Sequence, residues 1–535
     1  MGRTILLGLD GGTFRLLDYY VASGAMPNLA KIRENGAWGV LNSTFPPTTP
    51  PAWSSCMTGV NPGRHGIFDF REPYHRDPTR ALISSYSIRS AKIWHYLEKS
   101  DKTSILLNVP LTYPPEKIKG CVISGLMTPS EDVDYTYPKE LKRELIKAVG
   151  KYVVNIDIPQ YDIDHPDDAR KFFDGLDEMT KLRTRAFEWL LSEKKWDFLM
   201  AVFVFSDRIQ HLFWKVVDPV LDFKRPDAGA IRERTKKLFS EFDELLGRLV
   251  KSLDDDTTLF LISDHGFGPT ETWFNANSWL SKLGFLRLET QQFFKKRAFA
   301  LAMNLAESRL GKSIIPQNFA RRARASVRSK RSTFKTDLPF SLDMVKTKAF
   351  FAGIPSQGIF VTQKGAERER TKKELKEKIL ELKLPDGSNA ADGAWFAEEI
   401  YSGPETEFAP DLVFVLKDFS VLARPILGDW KNFRTSANSP NGFHRKDGIF
   451  FAYGKSIAPA KIEPLEMVDV MPTVLYAMGE KVPKNLDGKV RTEIFKSLQA
   501  IEFCEPIVPP YLEKGAFSED EELEIKRRLS GLGYF

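Results

Sequence analysis

The sequence predicts an α/β fold with a mostly parallel central sheet, interrupted by one basic helical insertion. Three observations predict it. The runs Thr4 to Asp10, Trp196 to Phe205 and Thr257 to Ser263 are apolar almost throughout, as strands covered on both faces are. Each run leads into an acid: Asp10, Asp207 and Asp264. Helical patterns separate the runs, the rhythm of parallel strands joined by crossover helices.

In order, residues 4–10 read as the first buried strand. It ends in Asp10-Gly11-Gly12. An acid at the carboxyl end of a central parallel strand faces the crevice where open α/β sheets bind ligands; the same residues also suit a plain Asp-Gly turn. Residues 27–35 read as a short helix stopped by Asn35-Gly36. Residues 37–43 form a strand leading into Phe45-Pro46-Pro47-Thr48-Thr49-Pro50-Pro51. The second proline pair suits a helix start, where proline's missing N–H would be unpaired anyway. Thr49 then lies just before a helix N-terminus, where free N–H groups favour a phosphate or sulfate. Its hydroxyl is either an N-cap or a nucleophile. The turn-rich loop after Gly59 carries His65, which either faces a site or hydrogen-bonds backbone.

Residues 104–109 are another buried strand, and 138–148 and 166–194 look helical. Ser206-Asp207-Arg208-Ile209-Gln210-His211 follows the clearest buried strand. On a helix, Asp207 and His211 project from one face about 5–6 Å apart. That spacing suits two ligands of one metal ion, or an ordinary surface pair. A long helix covers 229–253. Asp264-His265-Gly266 ends the third apolar run, and both side chains can turn toward one ion. Three strand ends of this kind point to one shared site. Strands at 358–362 and 410–415 and helices at 367–382 and 466–478 follow. A polar loop centred on His444 precedes a strand at 449–453. The tail carries an acidic-to-basic helix at 518–529, ordered as the helix dipole prefers. The resulting organisation is a discontinuous core, 1–284 and 346–500, an insertion at 285–345, and a helical tail at 501–535.

The 535 residues are 42% hydrophobic and 12% aromatic, ample for a core. No apolar run reaches the roughly 18 residues that span a membrane. The N-terminal run is too short for a signal-peptide core, so a cytoplasmic protein is expected. Cys56, Cys121 and Cys504 make neither a disulfide framework nor a CxxC pair, and are expected to be buried or inert. The net charge of +6 is concentrated: between Lys295 and Lys335 stand twelve Lys/Arg and one acid, Glu307. The rest of the chain is slightly acidic. The basic segment is a solvated helical insertion, or a docking face for an anionic substrate, a nucleic acid or a lipid surface. Few aromatics interleave its charges, which disfavours a single-stranded nucleic-acid platform.

Leu9-Asp10-Gly11, Pro47-Thr48-Thr49 with Thr58-Gly59, His65-Gly66-Ile67, Asp207 with His211, Ser263-Asp264-His265-Gly266 and Gly442-Phe443-His444 form one ordered set. The set resembles the alkaline phosphatase superfamily and, within it, the type I phosphodiesterase/nucleotide pyrophosphatase branch, over residues 1–284 and 346–490. The resemblance implies a three-layer α/β/α fold and a hydrolase of small phosphorylated substrates. It implies two divalent ions, zinc with manganese as the alternative. One would be held by Asp207, His211 and His444, the other by Asp10, Asp264, His265 and the Thr49 oxygen. It implies Thr49 rather than Thr48 as the nucleophile, because Thr49 stands at the family position counted back from Thr58-Gly59, and a covalent phospho-threonine intermediate.

The chemistry suits these residue types in its own right. Zinc takes imidazole nitrogen and carboxylate oxygen, and a coordinated hydroxyl becomes a competent nucleophile at neutral pH. The chain departs from the family at Phe70, where nucleotide-cleaving members carry a phosphate-contacting Asn, so the substrate stays open. Cys56 is followed by Met57-Thr58-Gly59, not by the Cys-x-Pro-x-Arg pattern of the sulfatase branch. Two further readings stay open: a phosphomutase or phospho-group transferase on the same fold, and a non-catalytic protein that binds an anionic ligand through its basic segment.

Overall fold

The computed structural model describes residues 2–156, 165–288, 342–353, 357–435, 441–509 and 517–531. Its centre is a ten-stranded sheet. Seven of the strands are β1 (Arg3–Leu9), β2 (Ala37–Asn42), β3 (Ser104–Leu107), β4 (Gly120–Ile123), β5 (Thr136–Tyr137), β6 (Phe198–Phe203) and β7 (Thr257–Ile262). Across the sheet the order runs β2, Asp447–Tyr453, β7, β1, β6, β3, β4, β5, with two short strands at the β2 edge. β7, β1, β6, β3 and β4 are parallel, while Asp447–Tyr453 runs antiparallel to both β2 and β7. The mixed, mostly parallel sheet expected from the apolar runs is present.

β6 and β7 are buried at every position and β1 at all but Arg3, the reason their sequences show no alternation. Helices make up the outer layers. Thr49–Thr58 packs on Val470–Ala477, which also touches β1, while Pro27–Asn35 and Pro166–Glu193 each pack on Ala228–Ser252. Pro27–Asn35, Pro166–Glu193 and Ala228–Ser252 lie within one residue of their expected spans, while the helix expected at 466–478 begins as a 3-10 turn, Met467–Asp469, and is α-helical only over Val470–Ala477.

The register decides where chemistry sits. Leu9 pairs with Phe203, and Gly8 with both Val202 and Ile262, so β1, β6 and β7 end level. Whatever follows those strands emerges at one edge of the sheet. At Gly8 the Trp53 ring of the Thr49–Thr58 helix takes the space of a side chain: a Cβ there would lie 2.4 Å from that ring and 3.0 Å from Val202. The missing side chain lets Trp53 settle on the strand.

A second, four-stranded antiparallel sheet is formed by Ala349–Phe351, Gly358–Val361, Leu412–Leu416 and Ala391–Phe396. It has its own apolar cluster, in which Phe350, Phe351, Leu412 and Phe414 meet Leu375 and Ile379 of the helix Gly365–Leu380. Most of the expected basic helical insertion, 289–341, lies outside the described residues; at its flanks Leu288 and Leu342 form an antiparallel bridge. The tail helix is present over Glu519–Gly531, matching the span expected at 518–529; upstream, Phe503–Cys504 is not helical but pairs with Val482–Pro483. Cys56 and Cys121 are buried and unpaired, as expected. No helix among the described residues is long and apolar enough to cross a membrane.

Replacing Gly8 by Val forces the Trp53 ring off β1. The expected cost is about 1–3 kcal/mol of overpacking, read as a lower urea midpoint at unchanged m-value. A wild-type midpoint would mean that the ring has room to move.

Candidate active site

Asp10 follows β1 directly. Gly11 takes φ +67° and donates its N–H to Asp264 Oδ1 at 3.2 Å, which ties the β1 and β7 ends together. Asp207 sits in the first turn of the helix Phe205–Val217, which starts just after β6, and His211 comes one turn later. Asp264 and His265 follow β7. His444 corrects an expectation: it lies on a short strand, Gly442–Arg445, rather than in a loop, paired antiparallel with Gly266–Pro269 and opposite Phe267. The pairing depends on side chains that are absent. A Cβ on Gly266 would lie 2.1 Å from the Asp447 carbonyl oxygen, and one on Gly442 2.5 Å from Trp214 Cβ. Strand propensity gives no sign of such a pair.

All seven sequence-derived residues converge. His211 Nε2 lies 3.2 Å from Asp207 Oδ1 and 3.0 Å from His444 Nε2, and His444 Nε2 lies 3.5 Å from Asp207 Oδ1. His265 Nε2 is 3.2 Å from Asp264 Oδ2, 3.8 Å from Asp10 Oδ1 and 4.0 Å from Asp207 Oδ1. The Thr49 hydroxyl donates to His265 Nε2 at 3.3 Å. The imidazoles of His265 and His444 stack with centroids 3.5 Å apart. None of the seven is more than 3% exposed.

Asp10 Oδ1, Asp207 Oδ1 and Asp264 Oδ2 are buried without a well-formed hydrogen bond among the described residues. Orphaned carboxylate oxygens facing imidazole nitrogens are what a cation site leaves when drawn as protein alone. Two groups, Asp207/His265/His444 and Asp10/Asp264/His265, each place their ligand atoms within 4.8 Å of one another, and together they fit a two-metal site.

The three acids repel one another. Burial, then the charges of Asp264 and Asp207, push Asp10 well above the usual carboxylate range. Burial and the Asp207 charge also raise Asp264, against the opposing pull of His265. Burial works to raise Asp207 too, but His211, His444 and Arg208 outweigh it and hold that carboxyl low. Burial lowers both His265 and His444 to about 4, so each imidazole is neutral near pH 7.

The ring tautomers are set from outside the cluster. His265 Nδ1 donates to the Gly266 carbonyl at 3.1 Å, and His444 Nδ1 to the Pro47 carbonyl at 2.9 Å. Both rings therefore turn an unprotonated Nε2 inward. Thr49 is the first residue of its helix, and Thr48 takes the N-cap position without a side-chain cap bond. The expected row of free N–H groups is thinner than the sequence suggests. Pro50 and Pro51 have none, and the Ala52 N–H bonds the Thr48 carbonyl at 3.1 Å.

Other residues matter that the sequence did not single out. Trp53, one turn after Thr49, donates its indole N–H to Asp10 Oδ2 at 3.3 Å. Arg208 donates to Asp207 Oδ2 at 2.5 Å. Tyr401, beside the second sheet, donates to the Phe45 carbonyl at 2.7 Å, and Trp395 meets the Phe45 ring edge-on at 5.1 Å. The spacing of Trp53 from Thr49 was a usable signal; nothing local marks Tyr401. His65 stands apart from the cluster. Its Nδ1 accepts the Ile67 N–H at 3.1 Å, and its Nε2 lies 3.0 Å from Ser55 Oγ. The Phe70 side chain is fully buried and apolar.

Comparison with known proteins fits this geometry. The family model for type I phosphodiesterase/nucleotide pyrophosphatase matches residues 4–444, and the chain belongs to that family of phosphoric ester hydrolases. No curated protein matches the chain significantly. Human ectonucleotide pyrophosphatase/phosphodiesterase 5 is similar with a TM-score of 0.51 at 12% identity, over 92% of this chain and 100% of that one. Phosphonoacetate hydrolase from Sinorhizobium meliloti 1021, in complex with phosphonoacetate, is similar with a TM-score of 0.53 at 15% identity, over 89% of this chain and 96% of that one. At these identities the likeness is one of fold.

Tyr401→Phe removes one hydrogen bond from the loop before Thr49. It is expected to lower kcat roughly three- to tenfold while metal content and KM hold; a wild-type kcat would show that the loop needs no such anchor. Burial lowers His65 to about 3, from 6.5. The unfolded chain protonates this group as pH falls below 6.5, whereas the folded chain does not until near 3. The stability His65 contributes is therefore full above about 6.5 and declines below it. Urea titrations between pH 7 and 5 should show a shallower loss of stability in His65→Gln than in wild type; equal slopes would assign the acid sensitivity elsewhere.

Proposed function

We propose that this member of the type I phosphodiesterase/nucleotide pyrophosphatase family cleaves phosphoric esters or anhydrides through a covalent phospho-threonine on Thr49. The observation that carries the reading is the Thr49 hydroxyl held 3.3 Å from an unprotonated His265 Nε2, at the rim of three orphaned carboxylate oxygens. Asp10, Asp264, His265 and Thr49 would hold one divalent cation, zinc or manganese, and Asp207, His211 and His444 a second. Such ions, when bound, lower the pKa of the hydroxyl and neutralise charge on the phosphoryl group.

The chain's own residues supply the rest. The Thr49 hydroxyl gives up its proton to solvent and its oxygen forms the new bond to phosphorus, while the ester oxygen departs on the opposite side and takes up a proton. Water then attacks the phosphorus of the phospho-threonine and loses a proton to solvent, and the Thr49 oxygen leaves and is reprotonated. The Thr49 N–H and the positive end of the helix dipole favour the anion. Trp53 fixes Asp10, and Arg208 fixes Asp207. The Pro47 carbonyl holds the His444 ring, so the loop that carries the nucleophile also orients a candidate ligand.

Thr49→Ala should cut turnover of bis(p-nitrophenyl) phosphate at least about a thousandfold while most of the bound metal stays in place. Thr48→Ala should keep most of the activity. Wild-type turnover in Thr49→Ala would remove the nucleophile assignment. Chelation should abolish turnover, and added zinc or manganese should restore it.

A further inference from the structure

The strand that carries His444 is backed by a guanidinium. His444 belongs to a two-stranded ribbon, Gly442–Arg445 against Gly266–Pro269, outside the ten-stranded sheet. Two strands of four residues have little stability of their own. Side chains alternate faces along a strand, so Arg445 emerges on the face opposite His444. Its guanidinium gathers carbonyls from three segments. Nη1 donates to the Phe443 carbonyl at 3.2 Å and the His444 carbonyl at 2.9 Å on its own strand, and to the Phe419 carbonyl at 3.1 Å. Nη2 donates to the Pro269 carbonyl, just across the ribbon, at 2.6 Å. Gly268 makes the room: a Cβ there would lie 2.6 Å from Arg445 Nε and 2.9 Å from Nη2.

Phe419 belongs to a turn of uncommon shape that follows Leu412–Leu416 of the second sheet. Lys417, Asp418 and Phe419 take φ of +46°, +45° and +58°, three left-handed residues in a row without a glycine. Such a run persists only where its surroundings over-determine it. The Ser420 N–H bonds the Lys417 carbonyl at 2.8 Å, the Asp418 N–H bonds Asp392 Oδ2 at 2.6 Å, and Arg445 takes the Phe419 carbonyl. The Phe419 ring meets the Phe45 ring edge-on at 6.4 Å, in the loop before Thr49. The turn therefore touches the loop of the candidate nucleophile directly and the strand of His444 through Arg445.

Packing alone does not call for an arginine here. The side chain is only 12% exposed, and the one acid in ion-pair reach among the described residues, Asp418, stands 3.7 Å away and is 84% exposed. Burying a guanidinium largely on neutral carbonyls costs more than burying an alkyl chain of equal length. What the planar fork adds is direction, because it fixes both strands of the ribbon and the turn at once. His444 has need of it: Nδ1 lies 2.9 Å from the Pro47 carbonyl and Nε2 3.0 Å from His211 Nε2, so a small shift of the ribbon breaks both relations.

We infer that Arg445 is the positioning residue for His444. It sets the ribbon so that the imidazole faces the ion shared with Asp207 and His211, and it ties that setting to the second sheet through Phe419. The inference rests on the two-metal reading above and names what holds one half of that site in place.

The test measures both zinc dissociation constants of the full-length protein by competition with a chromophoric chelator, in wild type, Arg445→Met, His444→Gln and the double variant. Arg445→Met should weaken one ion at least about tenfold and leave the other within about threefold. His444→Gln should weaken that same ion. Adding Arg445→Met to it should cost less than about a further twofold, because the imidazole to be positioned is gone. An arginine that only supports the fold would weaken both ions alike, or would add its full cost on top of His444→Gln. Either result overturns the inference, as do wild-type affinities in Arg445→Met. If Arg445→Met does not fold, Gly268→Ala takes its place on the same criteria, since its methyl group claims the space of Nε and leaves Arg445 in the chain. Failure of the two-metal reading looks different: wild type itself binds fewer than two ions per chain.

Discussion

The structure is governed by the mutual repulsion of three carboxylates in one dehydrated pocket. Asp10, Asp207 and Asp264 are each no more than 2% exposed. They meet because β1, β6 and β7 are parallel and end level, so the sheet itself leaves the acids no way to avoid one another. At an effective dielectric of about 20, two unit charges some 4 Å apart repel by about 4 kcal/mol. The surroundings answer unevenly. Asp207 has Arg208 and two imidazoles, and its carboxyl stays low. Asp10 has one indole N–H and Asp264 one backbone N–H, and both are pushed up. Neutral donors hold these two carboxylates in place without cancelling their charge.

The position of Thr49, the proposed nucleophile, is fixed by contacts far apart in the chain. The Phe45 and Pro47 carbonyls flank the last bend before the helix that starts at Thr49. Tyr401, beside the second sheet, holds the first, and His444, paired to the strand after β7, holds the second. Trp395 closes on the Phe45 ring from the second sheet. That sheet contributes none of the seven clustered side chains, yet it helps decide where the threonine hydroxyl points. A loop held only at its own ends would let that hydroxyl wander by more than an in-line attack tolerates.

What the sequence disclosed follows from the range of each interaction. Apolar runs ending in acids disclose strands and the edge they share, because burial on both faces and the strand-end position are local properties. Asp207 and His211 could be paired because helical spacing is local too. His444 was legible as a candidate but not as part of a strand: its partner, Gly266–Pro269, lies far upstream, and the pairing rests on glycines that leave room rather than on residues that favour strands. Tyr401 carried no signal, since a tyrosine bonding a distant carbonyl looks like any other tyrosine. Arg208 was in plain view beside Asp207, but only its burial and its unpartnered Nε set it apart from a surface arginine. The second sheet was read only as separate strands, because antiparallel pairing among 349–416 leaves no mark that distinguishes it from strands added to the main sheet.

The uneven treatment of the acids bears on how the fold and its cations depend on each other. Ions that bind the folded chain but not the unfolded one add stability in proportion to RT ln(1 + [M]/Kd). The gain per ion is set by how much repulsion it relieves. Around Asp207, Arg208 and the imidazoles already meet most of the carboxylate's demand, so an ion there replaces interactions the protein largely supplies. Around Asp10 and Asp264, the protein supplies mostly dipoles, with the Arg208 charge acting on Asp10 too weakly to offset its burial and its acidic neighbours. On the two-metal reading, an ion between those two acids relieves the larger share of stored repulsion, and it does so beside Thr49. The half of the pocket that the fold leaves least satisfied is the half that carries the Thr49 hydroxyl. On that reading the seven residues serve a charge that arrives from outside the polypeptide, and their arrangement is poor as protein structure for the same reason that it suits a cation site.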